Sequence, residues 1–453
     1  MRHHKIARVI GLRTILEDGA VNRREMLREM IAAFRQDCNE IVDAVESAKW
    51  GEVLGPAIEF EVRRKALRRY GQVLQEAVKY RARGWERTAL PVCWCGKRMR
   101  MVRQMPRTVV SILGELRFKR RHYYCGSCRK SRWPFDEEMG IDGRWTQGAV
   151  RLMTRAGATE SFGEACKNLK EFAEMQVSHD TVRHVTEGIA EEVLTEQSAG
   201  RLHGEESGEP FECKDWAYVT MDGTSVNTLD GWREMKLGAV YDQPKAKQHY
   251  AATLSPAAEF GPMVRQHAKG LRFGRAAKKF AGGDGSEWIW NQMHVNFPTV
   301  DEEFLDFYHL GENVYKAAWR LYGEGSPAGK RWAKSNLELA KKHGGKRLLR
   351  ALERGRRHQK KRTARSAFHD LLRYVRANIE RMPYPRLQAQ GIDIGTGPQE
   401  SACKNVVGRR LKGSGMRWTE ANAEKMGRLR ALMCSTGSWD AFWRSWNSHR
   451  KAG

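Results

Sequence analysis

Between residues 22 and 88 apolar side chains recur three and four positions apart with charges between them, the spacing of amphipathic helices. Two or three helices fit, with a break near Trp50-Gly51 and Gly55-Pro56. The texture changes at about 90–135, where RMRMVRQMPRTVVSILGELRFKRRHYY reads as two or three strands. Helical spacing returns from 145 to 197. There SFGEACKNLKEFAEMQVSHDTVRHVTEGIAEEV predicts a helix, a short turn at Met175 to Val177, and a second helix capped by Ser178. The apolar set Ala165, Leu169, Phe172, Val177, Val182 and Val185 suits a helix-turn-helix. A Gly/Glu-rich stretch at 198–215 reads as a linker.

Beyond the linker come three runs rich in Val, Tyr, Thr and Trp, each ending in turn residues: DWAYVTMDGTSVNT, GWREMKLGAVYD and KQHYAATLS. Helical spacing at 257–269 is followed by KKFAGGDG, a short strand ending on an Asp. TVDEEFLDFYHL reads as the next strand, and a long helical stretch runs from about 310 to 385. Three strands, helix, strand, helix, strand and further helices is the order of a ribonuclease-H-like core. No repeat with a period of 20–50 residues is visible.

The length of 453 residues allows about three domains. Lys and Arg number 80 against 54 Asp and Glu, a net charge of +26. With 41% hydrophobic residues and 15 Trp, the chain has the apolar area to offset the entropy of folding, which excludes a disordered polycation. It has no apolar run of 18 residues, so no membrane partner is expected, and MRHHKIARVIGLRTILEDGA lacks the apolar stretch of a secretory signal. A folded, strongly basic chain of the cytoplasm most often meets a polyanion, usually nucleic acid.

Of nine cysteines, Cys38, Cys166, Cys213, Cys403 and Cys434 stand alone, which fits a reducing compartment better than a disulfide framework. The other four form two close pairs, Cys93-Trp-Cys95-Gly and Cys125-Gly-Ser-Cys128. Two short turns that each offer two thiolates can surround one tetrahedral Zn²⁺, and the strands between them fit a zinc ribbon. Ribbon knuckles usually hold two residues between their cysteines and the first pair holds one, so His122 stands as a substitute ligand. The plain alternative is four reduced cysteines on a small β-meander.

Two-metal phosphoryl transfer on nucleic acid needs carboxylates on neighbouring strand ends, holding ions roughly 3.5–4 Å apart. Asp222 in YVTMDGT and Asp284 in KKFAGGDGSEWIW each close an apolar strand and are followed by glycine. Glu400 in IGTGPQESACKNVVGRRLK falls in the first turns of a helix opened by Gly395, Gly397 and Pro398. Singly, each reads as a turn acid or as a helix N-terminal glutamate. Together, in this strand order, they read as a catalytic set.

The run MDGTSVNT…GWREMKLGAVYD, then GDGSEWIW, then GTGPQESACKNVVGRRLKGSGMRW resembles the DDE transposases of bacterial insertion sequences. The nearest group is Kra/Lre, related through its catalytic core to Mutator-like transposases, and the resemblance spans about 90–430. It implies that Asp222, Asp284 and Glu400 form the catalytic triad and bind two Mg²⁺ (or Mn²⁺). One structural Zn²⁺ would sit on Cys93, Cys95, Cys125 and Cys128. Asp306-Phe-Tyr-His309 matches the family's motif of Cys or Asp, two residues, then His. His309 would position the scissile phosphate without ligating metal. The alternative is a strand-end acid and a partly buried histidine with local hydrogen bonds. The roughly 115 residues between Asp284 and Glu400 leave room for the helical insertion of that superfamily.

The implied architecture is multidomain α+β. It comprises an N-terminal helical region (1–88), a zinc ribbon (89–140) and a helix-turn-helix region (141–200). A ribonuclease-H-like α/β core follows in two parts (215–310 and 393–435) around an all-helical insertion (311–392), and a basic tail (436–453) ends the chain. The second helix of the helix-turn-helix would offer His179, Thr181, Arg183 and His184 to a major groove, or serve as scaffold. Residues 341–365 hold 12 Lys/Arg against one acid, Glu353. A one-sign run that includes Lys346, Arg347, Arg356, Arg357, Lys360 and Lys361 predicts phosphate contacts that position DNA without reading its sequence. Arg409, Arg410, Lys412, Arg417 and Trp418 are candidate contacts to the transferred strand. Trp288 and Trp290 would stack on an unpaired base or fill the core of a helix packing on the sheet. The functional expectation is an insertion-sequence transposase of the cytoplasm and nucleoid. It would bind terminal inverted repeats and target DNA as a homodimer or larger assembly. The alternatives are a ribonuclease-H-like nuclease without strand transfer and a domesticated DNA-binding repressor.

Overall fold

The computed structural model describes residues 20–48, 55–84, 90–203 and 210–451. The break expected at Trp50-Gly51 and the middle of the 198–215 linker lie outside the described residues. The chain divides into two compact units, residues 1–150 and 151–453.

In the first unit α1 (Ala20–Glu46) and α2 (Gly55–Gly84) run antiparallel. Asp37 on α1 accepts from Arg69 on α2 (Nη2–Oδ1 3.0 Å), while Glu40, further along α1, pairs with the earlier Lys65. β1 (Arg100–Ser111) and β2 (Gly114–Tyr124) form a long antiparallel hairpin in which Val109 faces Leu116. β3 (Ser131–Arg132), the short helix α3 (Pro134–Glu138), β4 (Ile141–Asp142) and β5 (Trp145–Thr146) follow. The sheet order is β3-β2-β1-β5-β4. Leu74, Val78 and Ala82 of α2 pack on Val109, Leu116, Phe118 and Phe135. α2 and the β1–β2 hairpin therefore share one core.

α4 (Gln147–Thr159), α5 (Phe162–Ala173) and α6 (His179–Ser198) come next. The turn predicted between the last two is present: Glu174 takes a left-handed conformation (φ 51°) and Ser178 accepts the Thr181 N–H at 3.2 Å. Ala165, Leu169 and Val182 are buried as expected. Phe172, in the last turn of α5, is 71% exposed, because the helix runs past the packing that covers Leu169.

β6 (Trp216–Thr228), β7 (Gly231–Asp242) and β8 (Gln248–Thr253) form an antiparallel meander. α7 (Ala257–Gly270), β9 (Lys278–Gly283), α8 (Glu287–Asn296) and β10 (Glu302–Leu305) follow. β9 pairs parallel with β6 and β10 parallel with β9, giving the order β10-β9-β6-β7-β8. Strand alternation sorts β6 between two faces. Ala217, Val219 and Met221 join Phe260, Val264, Ile289 and Trp290 from α7 and α8. Tyr218, Thr220 and Asp222 take the opposite face, where Tyr218 stacks on Tyr241 with ring centroids 5.1 Å apart.

Only Glu302–Leu305 of the strand expected over TVDEEFLDFYHL is extended, because Asp306 caps α9 (Phe307–Tyr322). With α10 (Pro327–Arg357, broken at Gly344) and α11 (Arg362–Ala377), α9 builds a helical insertion. Its own core includes Leu310, Val314, Leu348, Phe368 and Leu372. α12 (Tyr384–Ala389) leads back to α13 (Gly397–Ala402), which continues through a π turn at Cys403–Gly408. α14 (Glu420–Cys434) lies along β8, whose outer edge is met by Ser435 and Thr436. The basic tail expected at 436–453 is instead α15 (Ser438–Lys451), which buries Trp439, Phe442, Trp443 and Trp446. Their three- and four-residue spacing makes one apolar helix face, and that outweighs the charges between them. Among the described residues no helix is long and apolar enough to cross a membrane.

His249 on β8 is 1% exposed, and burial pushes its imidazole down from 6.5 to about 4. The unfolded chain takes up this proton near 6.5 and the folded chain only near 4, so stability is lost as pH falls through that window. The loss for this one group is roughly 3 kcal/mol. Urea denaturation at a series of pH values from 7 to 4 should show it, and His249→Gln should make the profile shallower.

Candidate active site

The first unit gathers the four predicted cysteines. Cys93 and Cys95 sit in a turn closed by the Gly96 N–H on the Cys93 carbonyl (2.9 Å), with Gly96 at φ 80°. The second pair follows β2, and the Cys125 N–H donates to the Lys130 carbonyl (2.9 Å). All four Sγ atoms lie within 4.8 Å of one another, with Cys93–Cys128 at 3.3 Å and Cys95–Cys125 at 3.6 Å. Sulfurs around a tetrahedral ion at about 2.3 Å stand about 3.8 Å apart, so the donor set fits a thiolate-loving cation. The Cys128 backbone N–H draws the Cys125 thiol down to about 6, while the hydrogen bond with Cys93 pushes the Cys128 thiol up to about 12. The one-residue gap between Cys93 and Cys95 does not prevent convergence. His122 is not needed: it stacks on Trp133 (4.8 Å) and its Nε2 meets Ser131 Oγ at 2.9 Å.

In the second unit the last β6–β9 pair is Thr220 with Gly282, and Asp222 and Asp284 stand two residues beyond it on each chain. They flank the point where the parallel strands part. β6 itself runs on to Thr228 against β7, so Asp222 lies within that strand rather than at its end. Its carboxylate accepts from the Gly223 N–H (2.7 Å) and from Cys403 Sγ (3.3 Å). Burial raises the Asp222 pKa and the Asp284 charge adds to the rise, against pulls from the Gly223 N–H, Cys403 and His309. Asp284 accepts from the N–H (2.8 Å) and hydroxyl (3.0 Å) of Ser286, which starts α8. Gly285 follows at φ 96°, where a Cβ would strike Asn378, Tyr374 and Leu305.

α13 is clamped to the Asp222 face of the sheet. Buried Gln399 accepts from Thr220 Oγ1 (3.0 Å) and donates to the Leu237 carbonyl (3.0 Å). Glu400 is the next residue and is exposed, three residues before the Cys403 that touches Asp222. Asp222, Asp284 and Glu400 do not close into a ligand cluster. Among the described residues only the four cysteines bring three or more potential ligand atoms within 4.8 Å. Asp306 is fully buried and accepts from the Tyr308 (2.7 Å), His309 (2.9 Å) and Thr396 (2.5 Å) N–H groups and from the Thr396 hydroxyl. These four donors occupy both of its oxygens, whereas His309, in the first turn of α9, is one of the groups that hold the Asp222 pKa down. Sequence reasoning missed Gln399, Cys403 and Tyr374, whose hydroxyl reaches from α11 to the Asp284 carbonyl (2.7 Å). Their partners lie across the fold and no local pattern marks them.

The predicted DNA contacts divide. Lys346, Arg347, Arg356, Arg357, Lys360 and Lys361 are exposed on α10 and the turn after it, and among the described residues only Lys346 has an acidic partner, Glu380 (3.4 Å). Arg409, Lys412 and Arg417 are exposed. Arg410 is not available: it is 2% exposed, donates to the Gly157 carbonyl (2.8 Å) and lies over the rings of Phe162 and buried Trp418. On α6, Arg183 is held by Asp180 (3.1 Å) and Glu187 (3.8 Å), and the Thr181 hydroxyl is used in the Ser178 cap. His179 and His184 remain exposed. Trp290 is buried and Trp288 packs against the same cluster, so both serve the core.

An acid whose pKa is raised by burial opposes folding once ionised, so stability falls as pH rises through its titration. Asp222→Asn should therefore raise the melting temperature at pH 7 in EDTA, with a gain that shrinks as the pH is lowered, and scanning calorimetry of the two proteins checks it. No known protein-family model matches the chain, and no curated protein is significantly similar to it.

Proposed function

We propose that the chain is a DDE transposase of an insertion sequence, cutting and joining DNA at Asp222, Asp284 and Glu400. The observation that carries this reading is the placement of Asp222 and Asp284 each two residues past the last β6–β9 pair, where the parallel strands part, with the Glu400 helix clamped to the Asp222 face. The strand order β10-β9-β6-β7-β8, antiparallel only at β7, supports the reading of a ribonuclease-H-like core. The helical insertion between Asp284 and Glu400, with its exposed one-sign basic run, agrees with the same reading.

Two Mg²⁺ (or Mn²⁺) ions on these acids would activate water or a 3′-hydroxyl and stabilise the leaving 3′-oxygen of an in-line displacement. The chain's own groups prepare for that chemistry. Gly223 N–H and Cys403 orient Asp222, and Ser286 orients Asp284. The raised pKa of Asp222 marks a carboxylate whose charge is poorly solvated and gains from a cation beside it. Glu400 supplies the third carboxylate from the solvent side, and His309 holds the scissile phosphate. The basic run tracks the DNA backbone, while α5 and α6 form a helix-turn-helix that meets the groove through His179 and His184.

With Mg²⁺ and a duplex carrying the element's terminal inverted repeat, the protein should cut at the repeat end and join it to target DNA. Asp222→Asn should reduce both steps by roughly three orders of magnitude while leaving DNA binding intact. Cut ends that never join would favour the nuclease reading, and binding without cutting the repressor. The sulfur cluster is assigned one structural Zn²⁺. Elemental analysis should find one zinc per chain and none in Cys125→Ser, and equal zinc in the two proteins would remove the assignment.

A further inference from the structure

The N-terminal helical hairpin packs with its polarity reversed. Between α1 and α2 lie charges: Lys65 and Asp37 are buried there, with Arg69 and Glu40 as partners. Several large apolar side chains of the pair point outward instead. On α1, Leu27, Ile31, Phe34, Val42 and Val45 are all exposed, Ile31 by 59% and Phe34 by 62%. Their spacing, with exposed Cys38 between them, is the four-and-three alternation of a helix seam that packs on another helix. α2 exposes Val62, Tyr70 and Val73, eight and three residues apart and so on one side of the helix.

The two stripes share one side of the hairpin. At 100° per residue, each stripe is centred about 90° past the face that its helix turns to the other, in the direction of increasing residue number. In two antiparallel helices the same offset falls on the same side. Together the eight side chains make a continuous two-helix apolar face. At roughly 100 Å² each, half of what a large side chain presents, they offer about 800 Å² per copy, which is what one partner contributes to a standard interface.

We propose that this face binds the same face of a second copy of the chain, α1 antiparallel to α1, as a four-helix bundle. The charge pattern selects that occupant. Residues 20–35 of α1 carry four Arg and two Glu, whereas residues 36–46 carry four acids and neither Lys nor Arg. A two-fold axis near residue 36 lays each basic half on the acidic half of its partner and brings Arg28 towards Asp43 and Glu46, all three exposed. Nucleic acid would meet an apolar surface instead of a cationic one. The inference does not depend on the transposase reading, since assembly is measured without DNA.

Sedimentation equilibrium of the full chain, without DNA, should return twice 51.9 kDa at about 10 µM. Ile31→Glu with Phe34→Glu, both on exposed positions, should weaken dimerisation at least roughly 100-fold. Arg28→Glu alone and Asp43→Arg with Glu46→Arg should each weaken it, and the three changes together should restore it. Restoration excludes misfolding as the cause of the loss. A monomer at about 100 µM, a dimer indifferent to the two glutamates, or no recovery in the combined variant would each overturn the proposal.

Discussion

The buried carboxylate of Asp306 closes the helical insertion. One oxygen accepts the first N–H groups of α9, and the other takes the N–H and hydroxyl of Thr396, 90 residues later. The start and the return of the insertion are thereby tied at one point beside the sheet. Ordering such a long excursion costs closure entropy, and a fully desolvated carboxylate with four donors is a strong enough tie to set where the chain comes back. Gln399, three residues after Thr396, can then reach Thr220 and Leu237, and Glu400 follows on the Asp222 face.

Much of this was legible in the sequence, for identifiable reasons. Asp222 and Asp284 each follow an apolar run and precede a glycine, so both the strand and the turn announce themselves. The cysteine pairs needed only the strands between them. Asp306 leaves two readings open in the sequence, because an acid before a helix looks the same whether it faces substrate or is consumed by backbone N–H groups. Arg410 is a similar case: a run of basic residues after Glu400 gives no sign that one of them turns inward to a carbonyl of α4. The tail at 436–453 was read by its charge and the structure reads it by its tryptophans.

The +26 charge is divided between two physical roles. Arg410 and Arg430 are withdrawn from solvent and spent on carbonyls, with Arg430 donating to Val406 (2.6 Å), Asn405 and Ala158. These contacts satisfy backbone groups at helix ends and a π turn that would otherwise be buried without partners. The run on α10 does the opposite and stays in water, where its mutual repulsion keeps it receptive to an external polyanion. Net charge alone distinguishes neither role, and burial does.

The π turn at Cys403–Gly408 limits how the chain can vary in length. It takes up one residue more than a regular helical turn, and a residue is worth about 100° of rotation. Glu400 and Cys403 precede that extra step, while Arg410 follows it and finds its berth only because of it. A single-residue deletion between them would straighten the helix and swing Arg410 off the Gly157 carbonyl. A single insertion would do the reverse. Related chains should accept substitutions across this stretch far more readily than any change in its count, since one side chain or the other would lose its place.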